Sequence, residues 1–203
     1  MSEAFSSRFH AFNFRFGRRI ALRGFDVRAL LPRKDEWVRI RQRLDAAFVL
    51  LERYAPPRFA MLQRDIRRVW VTGIPSRGAF VRERAMCVLD FDFVTGDSTR
   101  REEIALTMVH EGTHARLARA GFGYEEQVRA RIERLCIGSE LVVARRLPAA
   151  EELAAETLER LTWDDATWSS EAIRHRHLDA LQDLGWAGRL GYSLAKAIRP
   201  SLR

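Results

Sequence analysis

Residues His110, Glu111 and His114 form an H-E-x-x-H pattern inside the stretch LTMVHEGTHARL, residues 106–117. Positions i and i+4 of an α-helix lie one turn apart on the same face, so a helix here aims both imidazole rings at one point. This pair of His is typical of a Zn²⁺ site, with the intervening Glu beside it as a general base. The pattern therefore predicts a helix that carries two metal ligands, His110 and His114, and a base, Glu111.

The flanking residues predict where this helix begins and ends. Thr99 and Glu102 have the three-residue spacing of a capping box, which satisfies exposed N–H groups at a helix start. Apolar residues surround the motif, and Gly121 and Gly123 follow it. Because glycine commonly terminates helices, we expect a buried helix over residues 100–119.

A catalytic zinc usually takes three protein ligands and leaves a fourth position open, so one ligand is missing from the motif. A metzincin would continue with Gly and His at the positions of Leu117 and Ala120, which excludes that class. No Asp occurs between His114 and Asp164. The remaining candidates are the glutamates of the next helical stretch, Glu125, Glu126, Glu133 and Glu140.

The register of a helical hairpin ranks these glutamates. If two antiparallel helices meet at a turn over residues 121–123, residue 133 lies opposite residue 110. At 1.5 Å rise per residue Glu133 is then about 3 Å from the level of the metal, whereas Glu126 is about 8 Å and Glu140 about 14 Å away. Glu133 is therefore the predicted third ligand, and Glu125 and Glu126 are expected on a solvated face.

These residues resemble the gluzincin clan of zinc metallopeptidases, and in particular its small single-domain members, over about residues 60–147. The resemblance implies that His110, His114 and Glu133 bind zinc and that Glu111 is the general base. Two positions depart from the clan's pattern: Arg116 stands where an apolar residue is usual, and Ile137 stands where many members carry an acidic residue that orients a zinc-binding His. The second departure leaves the partner of that His unassigned.

Two strands are expected before the motif helix. Residues 84–94 alternate apolar side chains with Asp90 and Asp92, which predicts a half-buried strand with one solvated face, and residues 68–74 predict its neighbour. The resemblance implies that the strand nearest the zinc pairs with substrate backbone, and residues 85–94 are the candidate for this role. The two aspartates are expected to be solvated, with a metal or a basic substrate as the alternative.

Length and composition favour one mostly helical α+β domain over residues 1–203, with a small sheet packed on the motif helix. Its parts are a basic aromatic segment (1–34), the metallopeptidase-like core (60–147) and C-terminal helices (148–203). Arginines interrupt every apolar stretch of the first thirty residues, so no signal peptide is expected and the predicted location is cytoplasmic. Cys87 and Cys136 are expected to be buried thiols.

The charge is unevenly distributed along the chain. The formal net charge is +8, and residues 1–84 contain 19 basic but only 8 acidic side chains. Between residues 12 and 28 arginines alternate with aromatic and aliphatic side chains, a pattern that could bind an anionic membrane surface, an acidic substrate or nucleic acid. The alternative interpretation is a hairpin around Gly17 or an edge layer whose arginines are solvated.

The sequence as a whole predicts a zinc-dependent peptide hydrolase acting on a peptide or protein substrate. Four residues are candidates for stabilising the oxyanion of the reaction: Tyr124, His175, His177 and Tyr192. The competing hypothesis is a zinc-stabilised binding or regulatory module without turnover, whose basic N-terminal face contacts nucleic acid or a membrane.

Overall fold

A computed structural model describes residues 17–30 and 32–183, except for the side chains of His177 and residues 180–183. The described fold is α+β, with helix predominating over a small mixed sheet. The helices are α1 (Lys34–Tyr54), α2 (Pro56–Asp65), α3 (Phe91–Thr95), α4 (Arg101–Arg119), α5 (Glu126–Ala144), α6 (Glu151–Arg160) and α7 (Ser170–Asp183). The strands are β1 (Arg18–Leu22), β2 (Phe25–Ala29), β3 (Arg68–Thr72), β4 (Gly78–Val81) and β5 (Met86–Asp90).

The five strands form one sheet in the order β1-β2-β3-β5-β4. The outer pairs β1–β2 and β4–β5 are antiparallel, while β2–β3 and β3–β5 are parallel. Each parallel pair needs a crossover connection, which α1 and α2 supply between β2 and β3. The strand β4 lies at the end of the sheet nearest the motif helix.

The main core fills the space between one face of the sheet and the helices. Successive side chains of a strand point to opposite faces, and Val69 and Val71 of β3 accordingly join the main core with Cys87 and Leu89 of β5. Trp70, Met86 and Val88 form a smaller cluster on the other face. The helix α1 contributes a stripe at helical spacing, Ile40, Leu44, Phe48 and Leu51, each fully buried.

The motif helix α4 runs close to its predicted bounds of 100–119. The cap lies one residue later than predicted: the side chain of Glu103, not Glu102, accepts a hydrogen bond from the backbone N–H of Arg100 at 2.8 Å. Glu102 instead pairs with Arg101 at 2.9 Å. Gly121 follows the helix with φ of +87°, the left-handed conformation that ends many helices and that glycine adopts without strain.

The prediction for residues 84–94 is wrong in two respects. The strand β5 stops at Asp90, and residues 91–95 form the short helix α3, because the Asp90 carboxylate caps it by accepting from the N–H of Phe93 at 2.8 Å. The strand is also interior and almost completely buried, since β3 and β4 flank it. It therefore has neither a solvated face nor a free edge.

The basic N-terminal segment is described from Gly17 onward, and residues 1–16 lie outside the described part. Its described residues form the hairpin β1–β2, which turns at Arg23 and Gly24 rather than around Gly17. Arg19 pairs with Asp26 at 2.7 Å, and Arg23 pairs with both Asp45 and Glu52. These pairs agree with an edge layer of solvated, ion-paired arginines.

Among the described helices, none combines the length and apolar character needed to cross a membrane.

Candidate metal centre

The candidate site lies between α4 and α5, which form the helical hairpin that the sequence predicts. The motif His residues project from the middle of α4 toward the facing side of α5. On α5, Glu133 and Glu140 are seven residues apart, two helical turns, so both face the motif helix. The side chains of this face are nearly buried, at 8% exposure for Glu133 and 6% for Glu140.

The polar atoms of the three predicted ligands, His110, His114 and Glu133, converge on one point. The Nε2 atoms of His110 and His114 are 3.1 Å apart. The Glu133 carboxylate places Oε2 3.3 Å from His110 Nε2 and Oε1 3.5 Å from His114 Nε2. Ligand atoms of a tetrahedral zinc, each about 2.0–2.1 Å from the metal, are themselves separated by about 3.3–3.4 Å. The donor types and their separations of 3.1–3.5 Å are therefore close to those of one zinc site.

The second nitrogen of His110 is held by a carboxylate that the sequence left unassigned. Nδ1 lies 2.5 Å from Glu140 Oε1, and Glu140 Oε2 accepts from Arg160 Nη1 at 2.9 Å. A carboxylate only accepts, so Nδ1 donates to Glu140, and in a metal-bound His110 the deprotonated Nε2 would present its lone pair to the convergence point. Glu140 thus fills the orienting role for which Ile137 is unsuited.

The charges of the site match a divalent cation. Glu111, Glu133 and Glu140 are all buried. Arg160 compensates Glu140, whereas Glu111 and Glu133 face the two imidazoles, which are neutral when they bind a metal. Burial lowers the pKa of His110, but the hydrogen bonds to Glu133 and Glu140 outweigh it and raise that pKa well above its usual range. The surroundings therefore favour positive charge at this point.

Glu111 lies beside the convergence point and against the edge strand of the sheet. Burial is the main cause that raises the pKa of Glu111 above the ordinary carboxyl range. A Cβ on Gly78 of β4 would lie 3.2 Å from Glu111 Cγ and 2.7 Å from Thr107 Cγ2. The missing side chain at Gly78 thus lets the backbone of β4 pass directly over the predicted base.

Tyr124 is the one oxyanion candidate that the described structure brings to the site. Its hydroxyl donates to Glu133 Oε1, and its ring meets His114 edge-on, with ring centroids 5.2 Å apart. The Arg129 guanidinium covers the ring at 4.2 Å. Burial and the Glu133 charge raise the pKa of Tyr124, so the hydroxyl stays protonated and remains a donor.

The other candidates are elsewhere. His175 is exposed and lies 4.0 Å from Glu171 on α7. The side chain of His177 and all of Tyr192 fall outside the described residues. Glu126, the rejected ligand, accepts from the N–H of Ser170 at 3.0 Å and from Arg129, so it is remote from the motif His residues.

A pocket of about 890 Å³ opens over the convergence point. Its walls include His110, Glu111, His114 and Glu133 as well as all four residues of β4, Gly78 to Val81. On the opposite side it is lined by Tyr124 and by Trp168 from the turn before α7. A ligand in the pocket therefore reaches the three converging polar atoms and the edge strand at once.

The two cysteines are buried as predicted, but they have different surroundings. The Cys87 thiol lies 3.6 Å from Met108 Sδ. Cys136 lies one turn beyond Glu133 on α5, and its Sγ and one nitrogen of each motif His all lie within 4.8 Å of one another.

Sequence reasoning did not single out Gly78, expected Cys136 only as a buried thiol, and placed Glu140 about 14 Å from the metal level, whereas Glu140 contacts His110. For Cys136 and Glu140 a signal exists, because spacings of three and seven from Glu133 place a side chain on the same helix face. Gly78 has no such signal, since its importance comes from the packing of β4 on α4.

Comparison with protein families, with curated proteins and with solved structures yields no match for this chain.

Proposed function

We propose that this protein is a zinc-dependent peptide hydrolase of the gluzincin type. The observation that carries the proposal is the convergence of His110 Nε2, His114 Nε2 and a Glu133 carboxylate at separations of 3.1–3.5 Å, beside a buried glutamate and under an open pocket. A structural zinc is closed by four protein ligands, whereas a catalytic zinc keeps one position accessible. The pocket over the three donors supports the second kind of site.

A zinc ion held by these residues would lower the pKa of a water molecule and polarise the carbonyl of a peptide bond. Glu111 takes the proton of that water and delivers it to the leaving amine, a role suited to a buried carboxyl whose pKa is raised toward neutrality. Glu140 holds His110 in the productive tautomer and orientation. Tyr124 turns its hydroxyl from Glu133 to the developing oxyanion, a displacement that its position at the pocket wall allows.

The edge strand β4 is the segment we propose to bind substrate backbone, in place of residues 85–94. Within the described sheet β4 has one partner, β5, so its other edge is not paired with a strand. An extended peptide can pair with such an edge through main-chain groups alone. Because Gly78 leaves Glu111 close to this backbone, a peptide bond on β4 would lie beside the base.

The proposal is tested by Glu111→Gln. The variant should retain zinc, because Glu111 is not one of the three converging donors, and it should lose general-base catalysis of peptide cleavage by about 10² to 10⁴-fold in kcat. Zinc content by elemental analysis and cleavage of a peptide library by mass spectrometry give the two readings.

Three results are informative. Metal-free wild-type protein would refute the metal site, and undiminished cleavage by Glu111→Gln would refute the role of the base. Wild-type protein that binds zinc but cleaves no peptide would support the other hypothesis, a zinc-stabilised binding module with a basic N-terminal face for nucleic acid or membrane.

A further inference from the structure

Cys136 is a buried thiol that the proposed mechanism does not use. Its side chain lies in the core with no solvent exposure, on the face of α5 that also carries Glu133 and Glu140. Within the described part of the chain no hydrogen bond of this thiol is found. Cys87, by contrast, contacts the sulfur of Met108.

The thiol is aimed at the same point as the two imidazoles. Cys136 Sγ and one nitrogen each of His110 and His114 lie within 4.8 Å of one another. A tetrahedral zinc bound to nitrogen at about 2.0–2.1 Å and to sulfur at about 2.3 Å separates those two atoms by about 3.5 Å. The sulfur must therefore approach by at most about 1.3 Å, a movement that needs only small changes in the cysteine side chain and the metal position.

We propose that Cys136 is a fourth metal ligand, which gives the resting site the donor set His110, His114, Glu133 and Cys136. The inference rests on the proposed function, since it concerns the same metal. The Glu133 carboxylate lies 3.3–3.5 Å from the imidazole nitrogens, so the thiol joins the carboxylate rather than replacing it.

When the sulfur binds, it exchanges its proton for the metal ion. The S–H bond breaks, a sulfur–metal bond forms, and the proton leaves to the buffer, with no change of oxidation state. Four protein donors close the tetrahedron, so a resting site of this kind is latent until a water or substrate in the pocket displaces the sulfur. On displacement the sulfur–metal bond breaks and the thiolate takes back a proton from the incoming water or the buffer, so a neutral thiol remains in the core beside the metal and can bind again after turnover.

A thiolate also determines which metals the site prefers. Soft sulfur ligands favour zinc, cobalt and cadmium over the hard cations magnesium and manganese. A site of two His and one Glu without sulfur is more permissive toward manganese. Sulfur ligation can therefore be detected from the metal preference of the site, without any activity measurement.

The test is the absorption spectrum of the full-length chain loaded with Co²⁺. We expect wild type to show a near-ultraviolet sulfur-to-cobalt charge-transfer band together with the visible bands of tetrahedral cobalt. Cys136→Ser and Cys136→Ala should lose the near-ultraviolet band while still binding cobalt. Their preference for Cd²⁺ over Zn²⁺ should also fall, by roughly tenfold. Cys87→Ser is the matched control, a second buried cysteine that does not belong to the group of His110, His114 and Cys136, and it should keep the band.

Each result has a definite meaning. Visible cobalt bands without the charge-transfer band in wild type would overturn the inference and leave the proposed function intact. A band that persists in both Cys136 variants would also overturn it. Wild type that binds no cobalt or zinc at all would instead refute the proposed metal site, and the inference with it.

Discussion

At the scale of single residues, the account depends on a few side chains whose positions are fixed by others. His110 is the clearest case, because one of its nitrogens faces the convergence point and the other is held by Glu140. Glu140 in turn is held by Arg160. This chain of contacts fixes both the tautomer and the orientation of the ring, which are the properties that set the affinity of a His for a metal.

Glu140→Gln should weaken zinc binding by about 10 to 100-fold, because the neutral amide holds the His110 ring less strongly and no longer raises its basicity. The measurement is a zinc titration against a competing chelator. Glu102→Gln is the matched control: Glu102 is also a buried, arginine-paired glutamate, but it lies at the start of the motif helix. Equal zinc affinities in the two variants would show that Glu140 does not orient a ligand.

The same residues show what the sequence could and could not predict. His110, Glu111 and His114 were predictable because their spacing alone brings them together on one helix. Glu133 was predictable because a short turn sets the register of a helical hairpin. Gly78 and the edge strand β4 were not, since the sequence pattern pointed to residues 84–94. The Asp90 cap that ends β5 and the order of strands in the sheet depend on contacts between distant segments.

At the scale of elements, the motif helix α4 is positioned by close packing on α2. A Cβ on Gly112 would lie 1.9 Å from Leu62 Cδ2, and Leu62 is itself buried. The glycine inside the H-E-x-x-H pattern therefore permits a close helix–helix approach. Gly138 of α5 is different, because a Cβ added there would face open space. No close helix–helix approach requires a glycine at that position.

Gly138→Ala should stabilise the protein, whereas Gly112→Ala should leave its stability unchanged or lower it. Alanine gains about 1 kcal/mol over glycine in a helix interior, and Gly138→Ala should show this gain because nothing lies within 4 Å of the added Cβ. At Gly112 overpacking costs about 1–3 kcal/mol, which offsets or exceeds the gain. Urea unfolding of the metal-free variants measures both. A Gly112→Ala protein as stabilised as Gly138→Ala would mean that α2 does not approach α4 so closely.

The end of α4 is tied to α2 by a buried carboxylate. Asp65 is almost fully buried and accepts from Arg64 at 2.8 Å, and Arg119 at the end of α4 lies 2.9 Å from it. The hydrogen bond from Arg64 lowers the pKa of Asp65, and the charges of Arg119 and Arg116 add to this effect.

Asp65→Asn should therefore destabilise the fold in a way that depends on pH. A carboxyl whose pKa is lowered by folding stabilises the protein fully above its unfolded pKa of about 3.9, and this contribution is lost as pH falls through the folded value. We expect the variant to be about 1–3 kcal/mol less stable at pH 7, with the difference shrinking below about pH 4. Unfolding measured across this range gives the result, and a difference independent of pH would contradict it.

At the scale of the whole molecule, the sheet, the hairpin and the C-terminal helices have separate roles in one site. The sheet brings the free edge of β4 to the pocket, the hairpin α4–α5 supplies the converging donors, and α6 supplies Arg160. Each role needs a different part of the chain, from Gly78 to Arg160. Arg160 lies in the predicted C-terminal helices (148–203), outside the stretch of about 60–147 over which the resemblance extends.

The central claim is that His110, His114 and Glu133 bind one zinc ion, and Glu133 is the ligand that comes from outside the motif. The most direct measurement is zinc affinity by chelator competition in wild type, Glu133→Gln and Glu126→Gln. Both variants lose a carboxylate from α5, but Glu126 contacts Ser170 and Arg129 instead of the His residues. The account predicts a large loss of affinity in Glu133→Gln and little change in Glu126→Gln. Zinc binding by Glu133→Gln at the wild-type affinity would contradict it.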